Sequence, residues 1–177
     1  MLTDRTQTGG RPLVDVVRAA VDGGAEWVVL REKDLPRRER AALADELREF
    51  VPTLLVASDP TIAADGVHLA AADALPASRP GLVGRSCHSA ADLESAAAEG
   101  CDYATLSPIF VSASKPGYGP ALGVEVLRAA PLPVYALGGV DPSNASACVH
   151  EGAAGVAVMG SVMRAEDPAV AVKELLS

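Results

Sequence analysis

Two cations two residues apart, Arg31 and Lys33 in LREKD, are the first chemistry this chain offers. The only other lysines are Lys115 and Lys173. Cations brought to one place neutralise phosphate or pyrophosphate oxygens, although a solvated charge run explains REKD equally well. Asp59 and Asp73 supply the opposite charge. Two such carboxylates suit one Mg²⁺, which takes one or two of them and fills its shell with water and substrate oxygens. Asp59 precedes Pro60, so a turn cap is the plainer account of it. In GRSCHS, His88 has the side chain best suited to moving a proton near neutral pH. Ser89 would cap the following helix in either case. Cys87 is its neighbour, but adjacent residues on a strand point to opposite faces, which argues against a thiol nucleophile paired with it. Gly138–Gly139 and Gly160–Ser161 each precede a helical stretch. There, bare backbone N–H groups at a positive helix end can cradle a phosphate, or the glycines simply allow tight turns.

These residues need a scaffold that gathers them. Short apolar runs at 2–5, 27–32, 53–58, 66–70, 81–86, 102–108, 133–139 and 155–161 read as eight strands. Ala-rich stretches at 12–24, 36–50, 89–100, 123–130, 142–152 and 167–177 read as helices between and after them. Strands apolar on both faces belong to a parallel sheet covered by helices. Gly23–Gly24, Gly100 and Gly152 sit where helix C-termini favour glycine. Eight such units predict an α/β fold, a (β/α)₈ barrel filling residues 1–177 as one domain. An open doubly wound sheet would want a glycine-rich first turn, which LTDRTQTGG does not supply. The 177 residues are few for a barrel, and the deficit is local. DPTIAAD and ADALPASRP leave little room for the third and fourth helices, which are expected to be cut down.

In a barrel the active site lies at the strand C-termini. All the candidates fall there: Arg31, Lys33, Asp59, Asp73, Ser86, His88, Ser112, Ser114, Lys115 and both glycine pairs. The remaining histidines read as structural, His68 as core or support for the site and His150 as surface. Trp27 is expected to pack against helices, and Tyr118 to lie in an exposed loop.

A net charge of −8 excludes nucleic-acid binding through a diffuse basic surface. No apolar run is long enough to span a membrane, and MLTDRTQTGG is no signal peptide. Cys87, Cys101 and Cys148 are odd in number, without C-x-x-C spacing, and fit a reducing cytoplasm better than a disulfide or zinc framework. Exposed Ala-rich helix faces would suit a homodimer.

LREKD, ADGVHL, GRSCHS, DYATLSPIF, ALGGVDPSNA and GAAGVAVMGSVMRAEDP, in this order, resemble the thiamine phosphate synthase and thiazole tautomerase superfamily. The match runs from residue 2 to residue 168, with a gap after Asp59. The resemblance implies a barrel acting on phosphorylated thiazole in thiamine biosynthesis. A synthase would join 4-amino-2-methyl-5-pyrimidinylmethyl diphosphate to thiazole phosphate and release pyrophosphate, using Mg²⁺. A tautomerase would shift a proton on thiazole carboxylate phosphate without metal. Arg31 and Lys33 would hold the diphosphate, Asp59 and Asp73 the Mg²⁺, and Ser86 and Lys115 the diphosphate or reacting centre. Ser112 and Ser114 stand where synthases usually have threonines. Gly138, Gly139, Gly160 and Ser161 would bind the thiazole phosphate.

Val29, Ser58, Ala70 and Ala71 depart from the usual synthase residues, removing two amides from the pyrimidine side. GRSCHS resembles the tautomerase's RSxHS, whose histidine is the acid and base. The expectation is therefore a tautomerase with His88 as proton shuttle and no cofactor. The alternatives are a Mg²⁺-dependent synthase and a non-catalytic homologue that binds phosphorylated ligands.

Overall fold

The computed structural model describes residues 1–111 and 120–177. Seven strands form one sheet: β1 Trp27–Leu30, β2 Thr53–Ala57, β3 Gly66–Leu69, β4 Leu82–Cys87, β5 Tyr103–Leu106, β6 Val134–Leu137 and β7 Gly155–Ala157. They lie in chain order and every neighbouring pair is parallel. The expected first strand contracts to a bridge between Leu2 and Val29. Leu2 N–H donates to the Val158 carbonyl at 2.8 Å, and Thr3 N–H to that of Val29 at 3.0 Å. Residues 2 and 3 thus join the two edges of the sheet and close it as a barrel. The segment goes no further because the Asp4 side chain accepts from Thr6 N–H and starts a 3₁₀ turn, Arg5–Gln7.

The helices are α1 Leu13–Asp22, α2 Arg37–Leu47, α3 Ala90–Ala98, α4 Ala145–His150, α5 Gly160–Met163 and α6 Pro168–Leu176. Ser89 caps α3 by accepting from Asp92 N–H, and Asp167 caps α6 with Pro168 in its first turn. No helix connects β2 to β3 or β3 to β4, so the two helices expected to be short are missing altogether. The helix expected over 123–130 is a 3₁₀ segment, Glu125–Ala129, hemmed in by Gly123 and by Pro131 and Pro133. The strand expected over 155–161 stops at Ala157, and its second half opens α5.

The strands bury both faces. Val28, Leu30, Leu54, Val56 and Leu106 point outward into the layer beneath the helices. Leu2, Val29, Leu55, Tyr103 and Ala157 point inward. Trp27 belongs with the second set, not against the helices as expected, because it is two residues from Val29 and so shares its face. Its ring lies 5.3 Å from that of Tyr103 and 5.7 Å from that of Tyr135. The chain has six aromatic residues; three of them fill the barrel floor, so the strands need only small aliphatics above it.

Candidate active site

The stretch REKD is not a solvated run. Glu32 is 3% exposed, and its two carboxylate oxygens accept the Arg5 backbone N–H, each at 3.1 Å. The Arg5 guanidinium then reaches Asp34 at 2.7 Å. The two acidic residues tie β1 to the loop beyond Leu2, while Arg31 and Lys33 alternate with them. Arg31 N–H donates to Thr3 Oγ1 at 3.0 Å. Burial would raise the Asp4 carboxyl, but hydrogen bonds from Thr6 and Gln7 and the nearby charge of Arg31 hold it low. Replacing Glu32 by Gln turns one acceptor into a donor facing Arg5 N–H. We expect a loss of about 1–3 kcal/mol in urea unfolding; an unchanged midpoint would contradict the buried tie.

Across the mouth, Asp73 Oδ2 accepts from Ser58 Oγ at 2.5 Å and from Ala70 N–H at 2.7 Å. Burial works against its charge, yet these bonds and the cations Lys33 and Arg85 keep the carboxyl below its usual range. Ser58 has φ +59°, a left-handed conformation uncommon outside glycine and asparagine. The bond to Asp73 holds the serine in place.

Asp59 is placed differently. Its Oδ2 pairs with Arg40 at 2.9 Å and Arg37 at 3.7 Å, and its Oδ1 accepts from Thr61 N–H and Oγ1. Three of these contacts are hydrogen bonds; Arg37 Nε donates to Thr61 Oγ1 instead and adds only its charge. Asp59 is thus tied to α2 and to its own turn, whereas Asp73 is tied to Ser58 and the Ala70 backbone. The shortened connection after β2 turns Asp59 back onto α2.

Arg85 was not singled out from the sequence, although a charge inside GLVGRS is a signal. It is 6% exposed. Its Nη1 donates to the carbonyls of Ala70, Ala71 and Asp73 at 2.9–3.2 Å, and Nη2 pairs with Glu99 at 2.7 Å. One guanidinium therefore shapes the loop that presents Asp73, in place of the missing helix.

Ser86 and His88 share the inner face of β4 and its continuation, with His68 on β3 beside them. His68 Nε2 lies 2.9 Å from Ser86 Oγ, and its Nδ1 2.8 Å from the Tyr103 hydroxyl. His88 Nδ1 lies 2.9 Å from the Ser107 carbonyl oxygen. Cys87 points the other way and is fully buried, with its thiol pushed up to about 11, chiefly by burial; it is no nucleophile. His150 ends α4 on the surface. Ser112, Ser114, Lys115 and Tyr118 lie outside the described residues.

Gly138 and Gly139 have φ of +89° and +68°, so both require glycine. A Cβ on Gly139 would also come within 2.8 Å of the Phe110 and Val111 backbone. Among the described residues, no protein acceptor takes the N–H of Gly139, Gly160 or Ser161. Arg164, also not singled out, folds back over Gly160: a Cβ there would lie 2.3 Å from Arg164 Nη1. Its guanidinium is held by Gln7 Oε1, whose amide in turn donates to Asp4 at 2.7 Å.

Together these features define a parallel α/β barrel whose charged groups and bare amides gather at the strand C-termini. The chain matches the family model described as thiamine monophosphate synthase over residues 1–162, and it belongs to that family. It is 38% identical to a putative thiamine-phosphate synthase of Geobacter sulfurreducens, covering 100% of this chain and 92% of that one. It is 36% identical to a thiamine-phosphate synthase of Roseiflexus castenholzii, covering 99% and 85%. The thiamine phosphate pyrophosphorylase of Pyrococcus furiosus superposes with a TM-score of 0.85 at 30% identity, covering 99% and 91%.

These relatives overturn the tautomerase expectation. Neither a lean toward that branch nor a proton shuttle at His88 has support once the full-length relatives are synthases. No helix among the described residues is long and apolar enough to cross a membrane.

Proposed function

We propose that residues 1–177 form one catalytic domain, a thiamine phosphate synthase. It joins 4-amino-2-methyl-5-pyrimidinylmethyl diphosphate to thiazole phosphate and releases pyrophosphate. A bond forms between the thiazole ring nitrogen and the pyrimidine methylene carbon, and the C–O bond to the diphosphate breaks. The developing charge is on the leaving pyrophosphate, so the residues that matter most are those that meet anionic oxygens. The observation that carries this reading is the closeness of Lys33 to Asp73 and His68, close enough for its charge to bear on both ionisations. It supports a cation, a carboxylate and the Ser86 hydroxyl acting at one mouth.

In this reading Arg31, Lys33 and Ser86 hold the diphosphate, with Ser112, Ser114 and Lys115 assigned to the same group. Asp73 would hold the Mg²⁺, which when bound supplies positive charge to the diphosphate oxygens. Arg85 keeps the Asp73 loop in place. The N–H groups of Gly138, Gly139, Gly160 and Ser161 receive the thiazole phosphate, with Arg164 beside them. Backbone amides suit this task because they cost no side-chain ordering on binding.

The test is to incubate the protein with both substrates and Mg²⁺ and follow thiamine phosphate. We expect product, and about tenfold or greater loss of kcat/KM for Lys33→Ala, the worth of one charge-assisted contact. No product from either protein would remove the proposal.

A further inference from the structure

A chain of hydrogen bonds runs under the candidate diphosphate site from the barrel floor. The Tyr103 hydroxyl is buried, and burial pushes its ionisation up, so it keeps its proton. Among the described residues its one hydrogen-bond partner is His68 Nδ1, at 2.8 Å. Burial, aided by Lys33 and opposed by Asp73, pulls His68 down to about 4, so the imidazole is neutral and carries one N–H. If that hydrogen sat on Nδ1, the phenol hydrogen would be left buried without an acceptor, which proteins avoid. With Tyr103 donating to Nδ1, the hydrogen is on Nε2. Nε2 lies 2.9 Å from Ser86 Oγ and 3.5 Å from Thr105 Oγ1.

We propose that Tyr103 and His68 are positioning residues that fix the direction of the Ser86 hydroxyl. Ser86 Oγ accepts from His68 Nε2–H on its inner side, so its own hydrogen turns outward to the mouth. There it can donate to an anionic oxygen. The opposite tautomer would draw the Ser86 hydrogen inward and present lone pairs to the anion, which repels it. No proton is transferred; each group keeps its own hydrogen and only the orientation passes along the chain. The proposal rests on Ser86 meeting the diphosphate, and extends that reading to what makes Ser86 a donor.

Two measurements test it. The first needs no ligand. Side-chain ¹⁵N spectra of the labelled protein report the protonated nitrogen of each histidine. With only three histidines, His88→Gln and His150→Gln assign the His68 signals. We expect the proton on Nε2. A proton on Nδ1 overturns the relay and leaves the diphosphate reading intact.

The second measurement is binding of inorganic pyrophosphate with Mg²⁺ by calorimetry. Ser86→Ala is expected to weaken it about tenfold, and Tyr103→Phe, which keeps the ring and removes only the hydroxyl, about fivefold. In the Ser86→Ala background, Tyr103→Phe should cost nothing further. Equal losses with and without Ser86 would mean that Tyr103 acts through the general fold, and the relay fails. A Ser86→Ala variant that binds like the parent overturns the diphosphate reading of Ser86 and the relay with it.

Discussion

Gly84→Ala is expected to destabilise the protein by about 3 kcal/mol, at the upper end of what overpacking a core costs. Gly84 pairs with Tyr103 across the β4–β5 ladder, and a Cβ there would lie 2.0 Å from Tyr103 Cζ and 2.4 Å from its hydroxyl oxygen. A long flexible side chain could swing aside. The Tyr103 ring cannot, because Trp27 packs edge-on against it at 5.3 Å and Tyr135 at 5.7 Å. Yielding would mean moving three aromatic rings on three strands. The displaced hydroxyl would also leave His68 Nδ1. Denaturant unfolding measures the stability loss. A midpoint shift worth less than about 0.5 kcal/mol would show that the barrel floor is looser than these contacts imply.

The second large effect is the share of the pH dependence that His68 contributes. Burial, with Lys33 adding and Asp73 opposing, pulls its folded-state pKa down to about 4, well under the 6.5 of a free imidazole. The unfolded chain therefore binds this proton first as pH falls. The stability from keeping His68 neutral is fully present above about pH 6.5 and is lost as pH drops toward 4. The whole window is worth about 3 kcal/mol, of which about 2 kcal/mol falls between pH 7 and pH 5. The buried Met1 ammonium, lowered to about 6 by burial, adds its own loss from pH 8 to pH 6. Asp4, Asp59 and Asp73 act lower still, since their depressed carboxyls lose stabilisation only below the ordinary carboxylate range. The readout is thus the difference in slope between the parent and His68→Asn. We expect the variant to be less stable at pH 7 and to lose about 2 kcal/mol less on acidification to pH 5. Parallel slopes would mean that His68 titrates normally and is not sealed in the barrel.

Much of the architecture was legible in the residues. Val28, Leu30, Leu54 and Val56 alternate with Val29, Leu55 and Ala57, and a strand apolar on both faces has few homes other than a covered parallel sheet. Gly100 and Gly152 end helices with φ of +77° and +101°, as their place after Ala-rich runs foretold. The two stretches too short for helices have none. The candidate residues were legible as strand ends, because a barrel puts every such end on one face. Their partners were harder to see. Glu32 and Lys33 differ in which way each side chain leaves the chain, and this sends one into a buried tie with Arg5 and leaves the other exposed.

The sequence by itself determined the layers, the order of the strands and the face on which chemistry collects, because side-chain periodicity and chain connectivity are local properties. Only the tertiary structure decided that Asp59 pairs with Arg40 while Asp73 is held by Ser58 and the Ala70 backbone. It also decided that Arg85 stands in for a missing helix, and that Trp27 and His68 lie inside the barrel. Those outcomes depend on which residues from distant strands meet within about 3 Å, and hydrogen bonds and ion pairs are made or lost over that distance.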